Sequence, residues 1–400
     1  MDANDPVWGP DNIVRLASPA LVLRAAKLPD PTTIPPRQWL YGTQLLRGFV
    51  TVLVAPGGTG KSAYAMAVGA SLACGRSFLN EHVFARVNVA ILNLEDPMDE
   101  LDRRLAAIVI RHGIDESEIE GRLFMHSGED RPVHMASIGN DGFQVVHPDE
   151  AALVEQLLAN QIGMLCVDPF AESHTLEENS NPHMIAAAAA WRRVARATNC
   201  AIMLVHHVRK GAVTDIDSAR GAKGLTDSAR VGLLLSPMTE DEGEQIGIPT
   251  EDRWKYVRLD NAKANMAPRA GRAKWFMLDQ VDLHNPTNDY PHGDKVASVV
   301  SWEPPTMLSA QTPEILNSVL DLIAEGPEPG MLFSKTNRGG SSRWAGQLLI
   351  DECGMLEKQA SGTIAAWLKS GLLYEQEFRS SVTRKMMPGL KVDNSKRPSE

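Results

Sequence analysis

Val52-Leu53-Val54-Ala55-Pro56-Gly57-Gly58-Thr59-Gly60-Lys61-Ser62 is the stretch whose reading decides the fold. The apolar run Phe49 to Val54 reads as a buried strand, and the Ala/Met/Val-rich segment after Ser62 reads as a helix. Strand, glycine-rich turn and helix start in that order make a phosphate-binding loop. The glycines let successive N–H groups point at phosphate oxygens, the lysine meets the β and γ phosphates, and the hydroxyl holds Mg²⁺. The helix N-terminus adds its dipole. Pro56, Gly57, Gly58, Thr59, Gly60, Lys61 and Ser62 are therefore the cofactor-binding candidates, and ATP with Mg²⁺ the implied cofactors. The loop opens on Ala55 where the usual pattern has glycine, a departure that ordinary dihedrals at that position would accept.

Outward from this stretch the pattern alternates. Helix Lys61 to about Cys74, strand Val87 to Leu94 and helix Met98 to about His112 follow. After strand Arg122 to Met125 comes a hairpin-like insertion to about His147, then helix Asp149 to Asn160, strand Ile162 to Val167, helix Pro182 to Thr198 and strand Ala201 to Val205. Strands alternating with helices imply an α/β fold with a mostly parallel central sheet. Further strands are expected at Val231 to Leu235, Trp254 to Leu259, Lys274 to Leu278 and Val296 to Trp302, so the core spans 38–305. Residues 1–37 are Pro-rich and read as an arm. From 306 to 395 the order is Glu314 to Ala324, Ser342 to Cys353 and Ser361 to Ser370 as helices, then a hairpin. That is the order of a small winged-helix-like domain, followed by a tail, 396–400.

Two more acids belong with the loop. Asp168 ends the apolar strand Ile162 to Val167 and is the expected second ligand of the metal, with Ser62 the first. Glu95 and Asp96 stand just past the second strand, at the phosphate end of the sheet. Asp96 reads as a cap for the following helix, which leaves Glu95 as the base for the attacking water.

The ordered motifs Ala55 to Ser62, Leu94-Glu95-Asp96-Pro97, Cys166-Val167-Asp168-Pro169, Leu204-Val205-His206-His207, Ala219-Arg220-Gly221, Thr226 to Arg230 and Ala262-Lys263-Ala264-Asn265 resemble those of the RepA-type hexameric replicative helicases of plasmids and phages, within the RecA/DnaB-like P-loop ATPases. The resemblance spans about Trp39 to Trp302. It implies a RecA-like core, Glu95 as the catalytic glutamate, and His207 as a sensor of the γ phosphate. It also implies Arg230 as an arginine finger reaching a neighbouring subunit, assisted by Lys263, in a homo-hexamer on single-stranded DNA. In such rings the channel loops carry the DNA contacts. The candidates are Ala171 to Asn181, which is acidic through Glu172, Glu177 and Glu178, and the loop with Arg209, Lys210, Arg220 and Lys223. The C-terminal part lies outside this resemblance; if it is a winged helix, Ser361 to Ser370 is its recognition helix and Arg379, Arg384, Lys385 and Lys391 are the wing contacts for DNA, with a protein partner as the competing reading.

Composition narrows the classes. Net charge is −10, which argues against a whole-surface nucleic-acid coat but leaves room for a local channel. Arg379 to Arg397 holds six Lys or Arg against the single acid Asp393. No run approaches the ~20 apolar residues of a membrane span, and the N-terminus lacks a secretion signal, so a cytoplasmic location is expected. The four cysteines lack CxxC spacing and read as packed thiols. A metal site built on His206 and His207 with His174 or His183 has no supporting ligand spacing. Two functions follow: an ATP-hydrolysing DNA helicase, or an ATP-dependent DNA-binding regulator that assembles without unwinding. A small-molecule kinase is disfavoured by the His207 and Arg230 motifs.

Overall fold

The computed structural model describes residues 23, 25–139, 144–208, 223–264, 266, 273–304, 312–337, 342–381 and 383–398. The chain divides into two units, residues 1–38 and 39–400. In the first, Asp30 caps a single 3₁₀ turn, Pro31–Thr33, whose residues are all exposed.

The second unit opens with a short antiparallel pair, β1 (Trp39–Tyr41) and β2 (Leu45–Leu46). Then come β3 (Val50–Pro56), α1 (Lys61–Cys74), β4 (Asn88–Asn93), α2 (Met98–His112), α3 (Glu116–Ile119) and β5 (Leu123–Ser127). The insertion is a small hairpin of β6 (Ser137–Ile138) and β7 (Val145–Val146). After it follow α4 (Glu150–Ala159), β8 (Ile162–Asp168), α5 (Asn181–Thr198), β9 (Ala201–Val208), α6 (Lys223–Ser228), β10 (Val231–Pro237) and α7 (Glu240–Ile246). Three long strands complete the core: β11 (Tyr256–Ala264), β12 (Lys274–Asp282) and β13 (Lys295–Trp302). The strand expected from Trp254 starts two residues later because Arg253–Lys255 forms a 3₁₀ turn.

Among the described residues nine strands make one sheet in the order β13-β12-β11-β10-β3-β9-β8-β4-β5. From β10 to β5 all pairs are parallel; β11, β12 and β13 add on antiparallel. Both β3 and β8 are buried along their whole length, as strands covered on both faces must be. Side chains alternate between the faces. Leu53 and Ala55 of β3 pack with α1, while Val50, Val52 and Val54 pack with Ala187, Trp191 and Val194 of α5. Within the alanine run of α5, Ala187, Ala188 and Ala190 are buried, so the helix lies close on the sheet.

The small side chains of α1 let it sit buried on nearly every side. The antiparallel strands curl past it until they meet α2. There the Arg111 guanidinium reaches Asp279 at 2.6 Å and His112 Nε2 lies 3.0 Å from the Val299 carbonyl. This places the β12–β13 hairpin beside the loop that opens α1.

Residues past 312 build a separate hydrophobic cluster from α8 (Pro313–Glu325), α9 (Gly346–Cys353), α10 (Glu357–Ser370) and the antiparallel pair β14 (Leu373–Arg379) and β15 (Met386–Val392). The helix expected from Ser342 begins at Gly346, because Arg343 and Ala345 instead exchange backbone hydrogen bonds with Ser334. α10 begins four residues earlier than expected, where the Gln359 side chain closes onto the Leu356 N–H. Its first turn abuts α7 through Gln359 Nε2 to the Glu244 carbonyl at 3.2 Å. Near the end of the described residues Arg397 lies 2.8 Å from Asp321 of α8, while Arg379, Arg384, Lys385 and Lys396 are exposed.

Candidate functional site

The parallel strands carry their C-terminal ends to one side, and the loop Gly57–Gly60 lies there between β3 and α1. Ala55 is wholly buried within β3 and has no left-handed backbone, so no glycine is required at that position. Gly60 is different. Its φ is +76°, and a Cβ there would meet Leu278 Cδ2 at 2.5 Å. The Thr59 hydroxyl and Lys61 Nζ each donate to the Pro56 carbonyl at 2.8 Å, which braces the loop. Burial pulls the Lys61 pKa down, while the charges of Asp168 and Glu95 hold it up.

β8 delivers Asp168 to the same place. Asp168 is 4 % exposed, with the Ser62 side chain close enough to act on its carboxylate. Burial raises its pKa; Ser62, His207, Lys61 and Arg104 work against that rise. β9 lies between β3 and β8, with His207 paired in register beside Ala55. His207 is exposed into an open cleft of about 480 Å³, lined also by Gly60, Lys61, Ser62, Arg104 and Lys295. His206, one residue earlier, points the other way into the core, and burial lowers its pKa to about 4. Among the described residues no cluster of three His, Cys, Asp or Glu side chains gathers as a metal site.

Glu95 is exposed at the end of β4, and its position is set by Asn93. The buried Asn93 Oδ1 accepts from the Glu95 N–H at 3.0 Å and the Asp96 N–H at 2.8 Å, while its Nδ2 donates to Asp96 at 3.0 Å. Asp96 is not the cap of α2. The N-cap is Pro97, and the Asp96 carboxylate instead takes Arg104 at 2.7 Å. Sequence reasoning missed Asn93, Arg104 and Lys295. An Asn just before Glu95-Asp96-Pro97 is a turn signal that could have flagged the first; the other two reach the cleft only through tertiary packing.

Arg230 and Lys263 stand elsewhere. Arg230 is exposed just before β10, its N–H bonded to the Val50 carbonyl at the start of β3, the end of the sheet opposite the loop. Lys263 Nζ donates to the carbonyls of Thr226 and Asp227, at 2.9 and 3.1 Å, so it secures the end of α6 ahead of Arg230. Arg209, Lys210 and Arg220 lie outside the described residues, and Lys223 is the first residue of α6. The stretch offered as the first channel loop is packed only near its start: Phe170–Ser173 forms a 3₁₀ turn and Ser173, His174 and Leu176 are buried, while Glu172, Thr175, Glu177, Glu178, Asn179 and Asn181 are exposed. Arg384 and Lys385 are exposed at the turn between β14 and β15.

The donor set suits the cofactors the loop implies. A serine hydroxyl and a strand-end carboxylate brought to the same end of the sheet are hard oxygen donors of the kind Mg²⁺ takes alongside water. The left-handed backbone at Gly58 and Gly60, next to the helix N-terminus of α1, suits a phosphate chain.

The model of a family described as an AAA domain matches residues 17–213. In fold the chain is similar to the crystal structure of the RadB recombinase, at 14% sequence identity and a TM-score of 0.37, covering 58% of this chain and 88% of that one. The sheet order and the glycine-rich loop between β3 and α1 make an α/β core with a phosphate-binding loop, and the family match falls on the part of the chain that holds that loop. No helix among the described residues is long and apolar enough to cross a membrane.

Proposed function

We propose that the protein is an ATP-driven DNA motor, a helicase working as a homo-hexameric ring of the RepA type during replication of a plasmid, phage or other mobile element. The observation that carries this is the separation of Lys61, Ser62, Glu95, Asp168 and His207 from Arg230. The first five lie at the C-terminal ends of the strands, and Arg230 lies at the other end of β3. An arginine so placed serves no nucleotide in its own cleft but can serve one in a neighbour's, in a head-to-tail arrangement.

In this reading Ser62 and Asp168 would hold Mg²⁺, which when bound would supply charge neutralisation at the phosphates. Lys61 and the N–H groups of Gly57 to Ser62 bind and orient the phosphate chain. Glu95, fixed by Asn93, takes the proton of the attacking water. His207 senses the terminal phosphate and passes its state to the chain beyond β9. Arg230, steadied by Lys263, completes the site from the next subunit, a contribution of about 10³ to 10⁵ in rate in such enzymes. DNA contacts fall to Arg209, Lys210, Arg220 and Lys223, and in the C-terminal winged helix to Arg384 and Lys385.

The second reading is an ATP-dependent regulator that assembles on DNA without unwinding. It is favoured by the exposed acids Glu172, Glu177 and Glu178 in the segment that follows Asp168 and by the exposed turn of Arg384 and Lys385. A forked-duplex unwinding assay, run with a mass measurement with and without ATP, separates the two. The motor reading expects a ring, ATPase stimulated by single-stranded DNA, and strand separation. A DNA-bound ring that leaves the fork intact selects the regulator, and strong ATPase from a strict monomer sinks the role of Arg230.

A further inference from the structure

The sheet end opposite the cleft carries a cluster of positive charge that the motor reading uses only in part. Arg192 and Arg196 lie one turn apart near the C-terminal end of α5, and with Arg230 they line a small cavity of about 140 Å³, floored by Gly48 and Val50 at the start of β3 and edged by Asp227. Among the described residues none of the three guanidinium groups has an ion-pair or hydrogen-bond partner; the carboxylate of Asp227 is not within ion-pair distance of them. Their neighbour Arg193, by contrast, is held by Glu150 at 2.6 Å.

Such a grouping carries a repulsion that a bound anion relieves, modest because Arg196 and Arg230 are exposed and Arg192 half-buried. Like charges four residues apart on a helix repel, and the α-helix C-terminus offsets this only in part. Burial lowers the pKa of Arg192, and the charges of Arg196, Arg230 and Arg193 lower it further. Three guanidinium forks converging on a pocket of this size match the oxygens of a phosphate group.

We propose that Arg192, Arg196 and Arg230 form a phosphate-binding site distinct from the P-loop cleft. The seven residues of β3 separate the two sites, roughly 23 Å at the usual rise per residue, so a nucleotide in the chain's own cleft cannot reach it. The phosphate belongs either to a nucleotide carried by a second copy of the chain or to a nucleic-acid strand. The inference extends the part given to Arg230 to two arginines of α5, and it rests on the motor reading only for where the phosphate comes from.

The test silences the first site and probes the second. The full-length Lys61→Ala protein is titrated calorimetrically with inorganic pyrophosphate at low salt, beside Lys61→Ala carrying Arg192→Ala and Arg196→Ala. Pyrophosphate should bind the former and bind the latter at least about tenfold more weakly, with circular dichroism showing both folded. In parallel, pyrophosphate should protect Arg192 and Arg196 from phenylglyoxal in the Lys61→Ala protein, read by peptide mass spectrometry, which serves even if the triple variant misfolds. Equal affinity in the two proteins, or no protection, overturns the site. Displacement of pyrophosphate by ATP identifies a nucleotide as the source, and displacement by oligothymidylate identifies a strand. Neither measurement needs ATP turnover or unwinding, so the site can stand where the motor reading fails, and the reverse.

Discussion

The Ser62 side chain, in the first turn of α1, acts on the Asp168 carboxylate at the end of β8 across the intervening β9 and works against the rise of its pKa. Two segments about a hundred residues apart in sequence thus present their oxygens together. The carboxylate is buried, so its charge is a cost to the fold that a bound cation offsets.

That cost has a sign. Burial holds the folded-state pKa of Asp168 above the unfolded value, so the folded chain takes up a proton at a pH where the unfolded chain stays ionised. The group therefore favours folding below its folded pKa and opposes it above, and at neutral pH the full cost is present. Asp168→Asn should leave the metal-free protein as stable or more stable by up to about 1 kcal/mol, while Mg²⁺-dependent phosphate release disappears. Thermal melting with and without Mg²⁺ reads both halves; a large fall in the metal-free melting temperature would count against the argument.

Asn93 separates positioning from chemistry. Glu95→Gln should keep nucleotide binding and lower turnover by about 10² to 10⁴. Asn93→Ala frees the turn that carries Glu95 and leaves two N–H groups without their acceptor. It should cost about 1–3 kcal/mol of stability and lower kcat more than it raises KM. Fluorescent-nucleotide binding set against phosphate release distinguishes the two variants, and unchanged kcat in Asn93→Ala would remove its positioning role.

The glycines of the loop are not equivalent. At Gly60 the left-handed backbone and the approach of Leu278 both oppose a side chain, whereas a Cβ on Gly57 meets nothing within 4 Å. Gly60→Ala should lower stability by about 1–3 kcal/mol and abolish nucleotide binding. Gly57→Ala should change stability by no more than about 0.5 kcal/mol. Equal melting temperatures for the two variants would contradict this.

Much of the site could be read directly because its parts are local. The loop, the acid ending the strand into Asp168 and the motif around Glu95 each sit on one strand end, and the parallel order brings those ends together. Arg104, Lys295 and the wall of β12 and β13 were not legible, since they reach the cleft only after the antiparallel half curls past α1 onto α2. Arg192 and Arg196 look in sequence like a solvated helix face; only the placement of Arg230 beside them gives the pair a shared pocket. Asp96 was misread because an acid before a helix is usually its cap, and here Arg104 and Asn93 draw the side chain away.

Two buried histidines set an acid limit on the fold. Burial lowers the pKa of His174 and of His206 to about 4 each, below the ordinary value of 6.5. Below 6.5 the unfolded chain binds more protons than the folded one, so stability falls as the pH drops from about 6.5 toward 4 and is unaffected by these groups above. Urea unfolding at pH 7, 6 and 5 should show the decline, and His174→Gln should reduce its slope by about half, His206 supplying the rest. A flat profile across that window would show that neither imidazole stays buried and neutral.

The opposed positions of Lys61 and Arg230 allow a test of shared sites. If each cleft is completed by the next subunit, Lys61→Ala and Arg230→Ala are both inactive alone, for different reasons: one lacks its own phosphate lysine and the other cannot serve its neighbour. Mixed in equal amounts, they form some interfaces in which the intact Lys61 of one variant faces the intact Arg230 of the other. Random head-to-tail assembly makes about a quarter of the interfaces of this kind, so ATPase should return to roughly that fraction of the wild-type level. A mixture as inactive as its components, although shown by mass measurement to co-assemble, would place Arg230 outside the catalytic interface.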